Sequence, residues 1–146
     1  MRTLITIILV AFSFLFGSAQ EKEEKPPVRD GKYYEYWDKD STRISARGHF
    51  CNGKPCKKWK YFHYNGKRRM KSKYGDRIKL KYYRENGRRS EKGYAVLDRS
   101  SKAIHFYWQG KWKYYNKKGR LYRVVLFEKG EELKVLSGPE EPYYFE

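Results

Sequence analysis

Apolar and polar residues alternate along most of this chain, and the alternation comes in copies. Trp59-Lys60-Tyr61-Phe62-His63-Tyr64-Asn65-Gly66 returns as Leu80-Lys81-Tyr82-Tyr83-Arg84-Glu85-Asn86-Gly87 and as Trp112-Lys113-Tyr114-Tyr115-Asn116-Lys117-Lys118-Gly119. A more divergent copy, Tyr34-Glu35-Tyr36-Trp37-Asp38-Lys39-Asp40-Ser41, precedes them. Each has a bulky apolar residue, a tyrosine at +2, an aromatic at +3 and Gly or Ser at +7; such a recurrence marks a repeat protein. Runs rich in Tyr, Phe and Trp, punctuated by turn residues, predict strands, and no stretch sustains the i, i+3, i+4, i+7 spacing of a helix. Each copy is expected to be a strand, a turn at the glycine-bearing pair and a return strand. Asn65-Gly66 would return to about Tyr74, Asn86-Gly87 through Tyr94 to Leu97, and Lys118-Gly119 through Val124 to Phe127. Asp98 to Lys102 reads as an insertion, with Ile104 to Trp108 pairing back on Tyr94 to Leu97 and Gln109-Gly110 turning the chain into the last copy. The expected fold class is all-β: an elongated, twisted antiparallel sheet of sequential β-hairpins.

The residues Trp59, Tyr61 and Gly66 with Tyr74-Gly75, and Gly110-Lys111-Trp112, Tyr114 and Gly119 with Phe127 and Gly130, carry a resemblance. The chain from Gly31 to about Leu136 resembles the MORN family (membrane occupation and recognition nexus), especially its bacterial variants in exported and antitoxin-like proteins. Leu80 departs from that pattern where Trp is usual, and Ser41 where Gly is usual. The resemblance implies a row of antiparallel hairpins in one sheet, contacts with membrane, lipid or protein, and no common catalytic centre. The antitoxin-like relatives also suggest an inhibitor or immunity protein, against which export argues.

At the N-terminus, Met1-Arg2, an apolar run from Leu4 to Phe16 and Gly17-Ser18-Ala19 form the pattern of a secretory signal peptide, with cleavage expected after Ala19. A membrane anchor is the alternative, but a spanning helix wants about 20 apolar residues. Residues 20–30, charged and proline-bearing, read as a disordered linker. The repeat domain is then 31–136, and 137–146 a C-terminal tail.

Side chains two apart on a strand share a face. Trp59 and Tyr61 would therefore stack beside Leu80 and Tyr82, Trp112 and Tyr114, and Tyr34 and Tyr36, as a structural apolar face. The opposite face would carry Lys60 and Phe62, Lys81 and Tyr83, Lys113 and Tyr115, with Glu35 and Trp37 in the first copy. Lysine beside an aromatic can receive an anionic or sugar-bearing ligand, or can be the wet side of a one-sided sheet.

Charge sharpens this picture. The chain carries a formal net charge of +17, which predicts attraction to polyanions or simply a solvated surface. The basic residues Lys67, Arg68, Arg69, Arg88, Arg89, Lys117, Lys118 and Arg120 lie at or just past the turns. Stacked hairpins would bring them to one edge as a basic rib, about 10 Å between turns; edge protection is the competing account.

Cys51 and Cys56 flank the turn Asn52-Gly53-Lys54-Pro55, and a structural disulfide is expected in an oxidising compartment. Zinc would need further soft ligands, and a redox pair is more often Cys-x-x-Cys. His49, His63 and His105 lack metal or triad spacings, His63 reading as a packing residue, and Asp and Glu lie mostly in linker, turns and tail. No catalytic role, metal or cofactor is expected. These features point to an exported binding module for an anionic phospholipid, lipopolysaccharide or envelope glycan, engaged through the rib. A protein–protein scaffold using the aromatic face or a sheet edge is the alternative. Export disfavours nucleic acid.

Overall fold

The structure, a computed structural model, describes residues 29–100 and 104–140. The expected signal peptide, residues 20–28 of the linker and residues 141–146 of the tail lie outside the described residues. The rest is all-β. Nine strands follow one another: β1 (Gly31–Tyr36), β2 (Ile44–Cys51), β3 (Lys54–Phe62), β4 (Arg68–Lys73), β5 (Ile78–Tyr83), β6 (Arg89–Asp98), β7 (His105–Tyr115), β8 (Leu121–Glu128) and β9 (Glu131–Ser137). Each pairs antiparallel with the next, giving one open sheet in the order β1 to β9. Among the described residues no helix is long and apolar enough to cross a membrane.

The repeat turns are built alike. Gly66 N–H donates to His63 O, Gly87 N–H to Arg84 O and Gly119 N–H to Asn116 O. The three glycines have φ of 78°, 85° and 82°, the left-handed position that closes a three-residue hairpin loop. Asn65 and Asn86 each accept the N–H two residues on, from Lys67 and Arg88. Just past each turn the register slips, making Ser45, Arg69, Ser90 and Tyr122 the extra residue of their return strands. Such bulges bend a strand and raise its twist.

Two tryptophans organise the core. Between Arg47↔Lys60 and His49↔Cys56 one strand spends only Gly48 while the other spends Lys57, Lys58 and Trp59. Between Lys92↔Lys113 and Tyr94↔Gln109 the same happens, with Gly93 against Gly110, Lys111 and Trp112. Lys57 and Gly110 supply the positive φ of each wide bulge. Each indole lies flat on the facing glycine, so that a Cβ at Gly48 or Gly93 would fall within the ring. The Trp59 Nε1–H donates to His49 O and the Trp112 Nε1–H to Tyr94 O, both at 3.0 Å. Around Trp112 the buried cluster is Ile78, Leu80, Ala95, Val125 and Phe127, with Trp108 stacked on it at 3.8 Å between centroids. Trp59 packs against Tyr33, Phe50 and Tyr61.

Four expectations need correction. The chain does not turn at Gln109-Gly110: β7 runs on through Gly110, because a wide bulge absorbs the extra residues. The Cys51–Cys56 disulfide is present, with Cα atoms 5.8 Å apart, but it is diagonal. Asn52-Gly53 alone makes the turn, so Cys51 pairs with Lys54 and Cys56 with His49. The first copy is out of phase by one residue. Glu35 pairs with Ala46 on the core side, and Tyr34 with Arg47 on the other, so Tyr33 rather than Tyr34 packs on Trp59. A one-residue offset flips every side chain, and here it accompanies a longer loop, closed by Trp37 N–H to Arg43 O with Ser41 at φ 56°. Finally, β9 is an unanticipated return strand after Lys129-Gly130. The buried Arg123 ties down β9 and the residues just past it, donating to Pro139 O, Glu140 O and the Glu132 carboxylate at 2.7–3.1 Å.

Gly93→Ala and Gly48→Ala should each push an indole off its seat. Overpacking of this kind costs roughly 1–3 kcal/mol, so thermal unfolding of either variant should shift down by several degrees. An unchanged melting temperature for both would remove the indole–glycine contact from the account of stability.

Candidate functional site

The registers that place Trp59, Leu80 and Trp112 on one face align the lysines on the other. Arg47 pairs with Lys60, Lys60 with Lys71, Lys71 with Lys81, Lys81 with Lys92 and Lys92 with Lys113. Six cations therefore stand directly opposite one another in an unbroken row across β2 to β7. A second row, Lys58↔Lys73↔Lys79, runs beside it and ends on Tyr94. Among the described residues no carboxylate pairs with any member of the first row, and Arg123–Glu132 at 2.7 Å is an ion pair of the core side. Opposed like charges destabilise a strand pair. Lys60 registers this crowding: Arg47 above all, then burial, Arg68, Lys71 and Lys58, hold its ammonium below the ordinary lysine range.

Lys60, Lys81 and Lys113 were anticipated on this face; Arg47, Lys71 and Lys92 were not. Nothing short of the pairing register shows that return-strand lysines stand opposite outgoing-strand ones. The bulge past each turn sets that register, and it leaves no composition signal.

The aromatic members of the expected platform are present but occupied. Arg47 lies over Phe62 at 5.5 Å, Arg68 over Tyr83 at 5.3 Å and Arg89 over Tyr115 at 5.3 Å. Each arginine comes from a return strand and each ring from the outgoing strand of the following copy, so all three contacts join successive copies. Burial alone would raise the Tyr115 hydroxyl, but hydrogen bonds and charge from Lys92 and Arg89 bring it below the ordinary tyrosine value. Trp37 is not on this platform: it lies past the end of β1, exposed, edge-on to Tyr64 at 6.4 Å. Its place in the hairpin is that of His63, Arg84 and Asn116, as the backbone bond to Arg43 shows.

The repeat turns do share one edge of the sheet, and the rib residues gather there, but they are not equivalent. Lys67, Arg68, Arg69, Arg88, Lys117, Lys118 and Arg120 are exposed, while Arg89 is half-buried. Much of the arginine is spent within the protein. Arg88 donates to Lys117 O at 3.1 Å, and Arg69 lies near enough to the Tyr61 and Tyr82 hydroxyls to oppose the upward shift that burial imposes on both. The same edge is laced from hairpin to hairpin. His63 Nε2 meets Tyr83 O at 2.9 Å, Asn65 donates to Glu85 O at 3.3 Å, and Arg84 donates to Tyr115 O at 2.6 Å and Asn116 O at 3.3 Å. His63 is thus a tie between repeats.

One carboxylate departs from the expected distribution. Glu91 sits on the apolar face, opposite Tyr82 and Tyr114, where burial raises it above its ordinary value and Arg84 only partly offsets the shift. Among the described residues no three His, Cys, Asp or Glu side chains are grouped to hold a metal ion. No protein-family model, curated protein or solved structure significantly matches the chain.

Because the folded protein holds a proton on Glu91 that the unfolded chain releases near the ordinary value of 4.5, stability falls as pH rises from there through the raised folded value. Glu91→Gln removes that fall. The melting-temperature gap between Glu91→Gln and the parent should widen in the variant's favour as pH rises above the ordinary value of 4.5; a constant gap would mean the carboxylate is not strained by burial.

Proposed function

We propose that this chain is an exported, non-catalytic binding module that engages an anionic polymer or surface through its outward sheet face, with the turn-edge cations alongside. The observation that carries this is the row from Arg47 to Lys113. Edge protection does not account for it, because these residues stand in the interior of the sheet and not on its rims. Solubility alone would be served by lysines anywhere; opposed lysines lower stability, and a bound polyanion reverses that loss. Export is supported by the Met1–Ala19 pattern and by a cysteine pair suited to an oxidising compartment. The resemblance of the repeats to bacterial MORN variants supports a binding role over a catalytic one, and lipid, lipopolysaccharide and envelope glycan all fall within the chemistry.

A second reading has its own observation. Among the described residues the sheet is open, with β1 and β9 as its edge strands and Tyr34, Tyr36, Leu133 and Leu136 exposed on them. A protein partner that adds a strand would use such an edge.

The two readings separate under salt and mutation. Affinity for an immobilised polyanion should fall steeply with added salt, because each neutralised charge releases counterions. Replacing Lys71, Lys81 and Lys92 together by Gln should weaken it by about tenfold or more. Replacing Lys67, Arg69 and Lys118 should weaken it less. Binding that is indifferent to salt and to both triple variants would favour the edge-strand reading.

The Lys71/Lys81/Lys92→Gln variant should also melt higher than the parent at low salt without ligand. Each relieved like-charge pair contributes roughly 0.2–1 kcal/mol, and added salt shrinks the gain. A variant that melts lower would show the lysine stems to matter more than their charges.

A further inference from the structure

We infer that the ligand is a linear acidic polysaccharide that crosses the strands along Arg47, Lys60, Lys71, Lys81, Lys92 and Lys113, offering about one carboxylate to each cation. This rests on the polyanion-binding reading above and specifies its ligand.

The first argument is spacing. Paired strands lie about 4.8 Å apart, so the row presents one positive charge per strand step. That step is close to the length of one sugar ring in an extended glycan, and a polyuronate carries one carboxylate per ring. Inorganic polyphosphate packs its charges more closely than the lysines stand.

The second argument is shape. Neighbouring strands rotate by about 20–25°, so five steps from β2 to β7 turn the row through roughly 100–125°. A flat bilayer touching one end of such a row cannot reach the other. A flexible chain follows it.

The third argument separates a glycan from single-stranded nucleic acid. Bases bind by stacking on open aromatic faces, yet Arg47, Arg68 and Arg89 lie over Phe62, Tyr83 and Tyr115, and Arg77 and Lys79 over Tyr94. The face offers cations and tyrosine hydroxyls more than bare rings, which suits carboxylates and sugar hydroxyls. A cleft of about 300 Å³ opens at the β5 to β7 end of the row, lined by Lys79, Lys81, Lys92, Tyr94, Lys111 and Lys113. A cavity walled by one sign of charge concentrates its counter-ion.

The test is titration calorimetry of the purified protein with oligogalacturonates of graded length, beside phosphatidylglycerol vesicles, inorganic polyphosphate and single-stranded DNA at equal charge concentration. Affinity should climb with each added sugar to about six, one per cation, and then level off. It should drop by about tenfold or more in Lys71/Lys81/Lys92→Gln, and Lys81→Arg should keep it. The melting temperature of the triple variant shows whether its loss of binding is a loss of fold. Affinity that ignores oligogalacturonate length, or that is greater for vesicles, polyphosphate or DNA, overturns the glycan while leaving polyanion binding in place. If none of the four probes binds, the polyanion reading falls with it.

Discussion

The structure depends on an indole seated on a glycine. Trp59 on Gly48 and Trp112 on Gly93 each need a facing residue without a side chain, a wide bulge opened by Lys57 or Gly110, and a carbonyl for the ring N–H. Together these lock the register of β2 to β3 and of β6 to β7. A sheet whose side-chain period is two has two possible outward faces, and the indoles choose between them. Once Trp59 and Trp112 are committed to the core, Lys60 and Lys113 must point away, and the pairing carries that choice through Lys71, Lys81 and Lys92. The core contact and the basic row are therefore one decision read on opposite faces.

That decision sets stability against the proposed binding role. Six opposed cations lower the stability of the strand pairs they sit on, and the depressed Lys60 ammonium is the local sign of it. The offset comes from the other face, where Leu80, Trp112, Val125 and Ala95 are almost wholly buried and apolar burial stabilises by about 25 cal/mol per Å². Glu91, among tyrosines on that same face, works against the core. A protein selected for stability alone would carry neither an opposed lysine row nor a buried glutamate there.

The strands, the glycine turns, the disulfide and the shared face of Trp59, Leu80 and Trp112 were legible in the sequence, because each rests on local spacing. What was hidden depends on relations between segments. The one-residue bulges past the turns, the phase of β1 and the diagonal reach of the disulfide all follow from loop length and register. Tyr34-Glu35-Tyr36 matches the repeat by residue type, yet the longer loop around Asp38 and Ser41 moves it by one position. β9 went unseen because Glu131-Glu132-Leu133-Lys134 is a mostly exposed edge strand with little alternation. Gly48 and Gly93 read as ordinary glycines until an indole lies on them.

The same distinction explains why the basic residues divide as they do. A guanidinium is a planar fork that stacks on rings and serves several acceptors at once, whereas an ammonium is a compact, hydrated point charge. Here Arg84, Arg88 and Arg123 are spent on carbonyls of the next hairpin or of the residues just past β9, and Arg68 and Arg89 on rings of the next repeat. They join an open sheet in which each strand pairs only with its sequence neighbours. Among the described residues Lys92 is the one lysine of the row that shares this joining work, over the Tyr115 ring at 5.8 Å. Backbone carbonyls and rings have fixed positions and reward a rigid donor. A polymer that slides, flexes and varies in sequence rewards a charge that can follow it. Along the turns, then, lysine and arginine are not equivalent: Arg88 is held by a neighbouring carbonyl and Arg68 and Arg89 by rings. Separating them places the centre of the proposed site in the middle of the sheet, with the rim alongside.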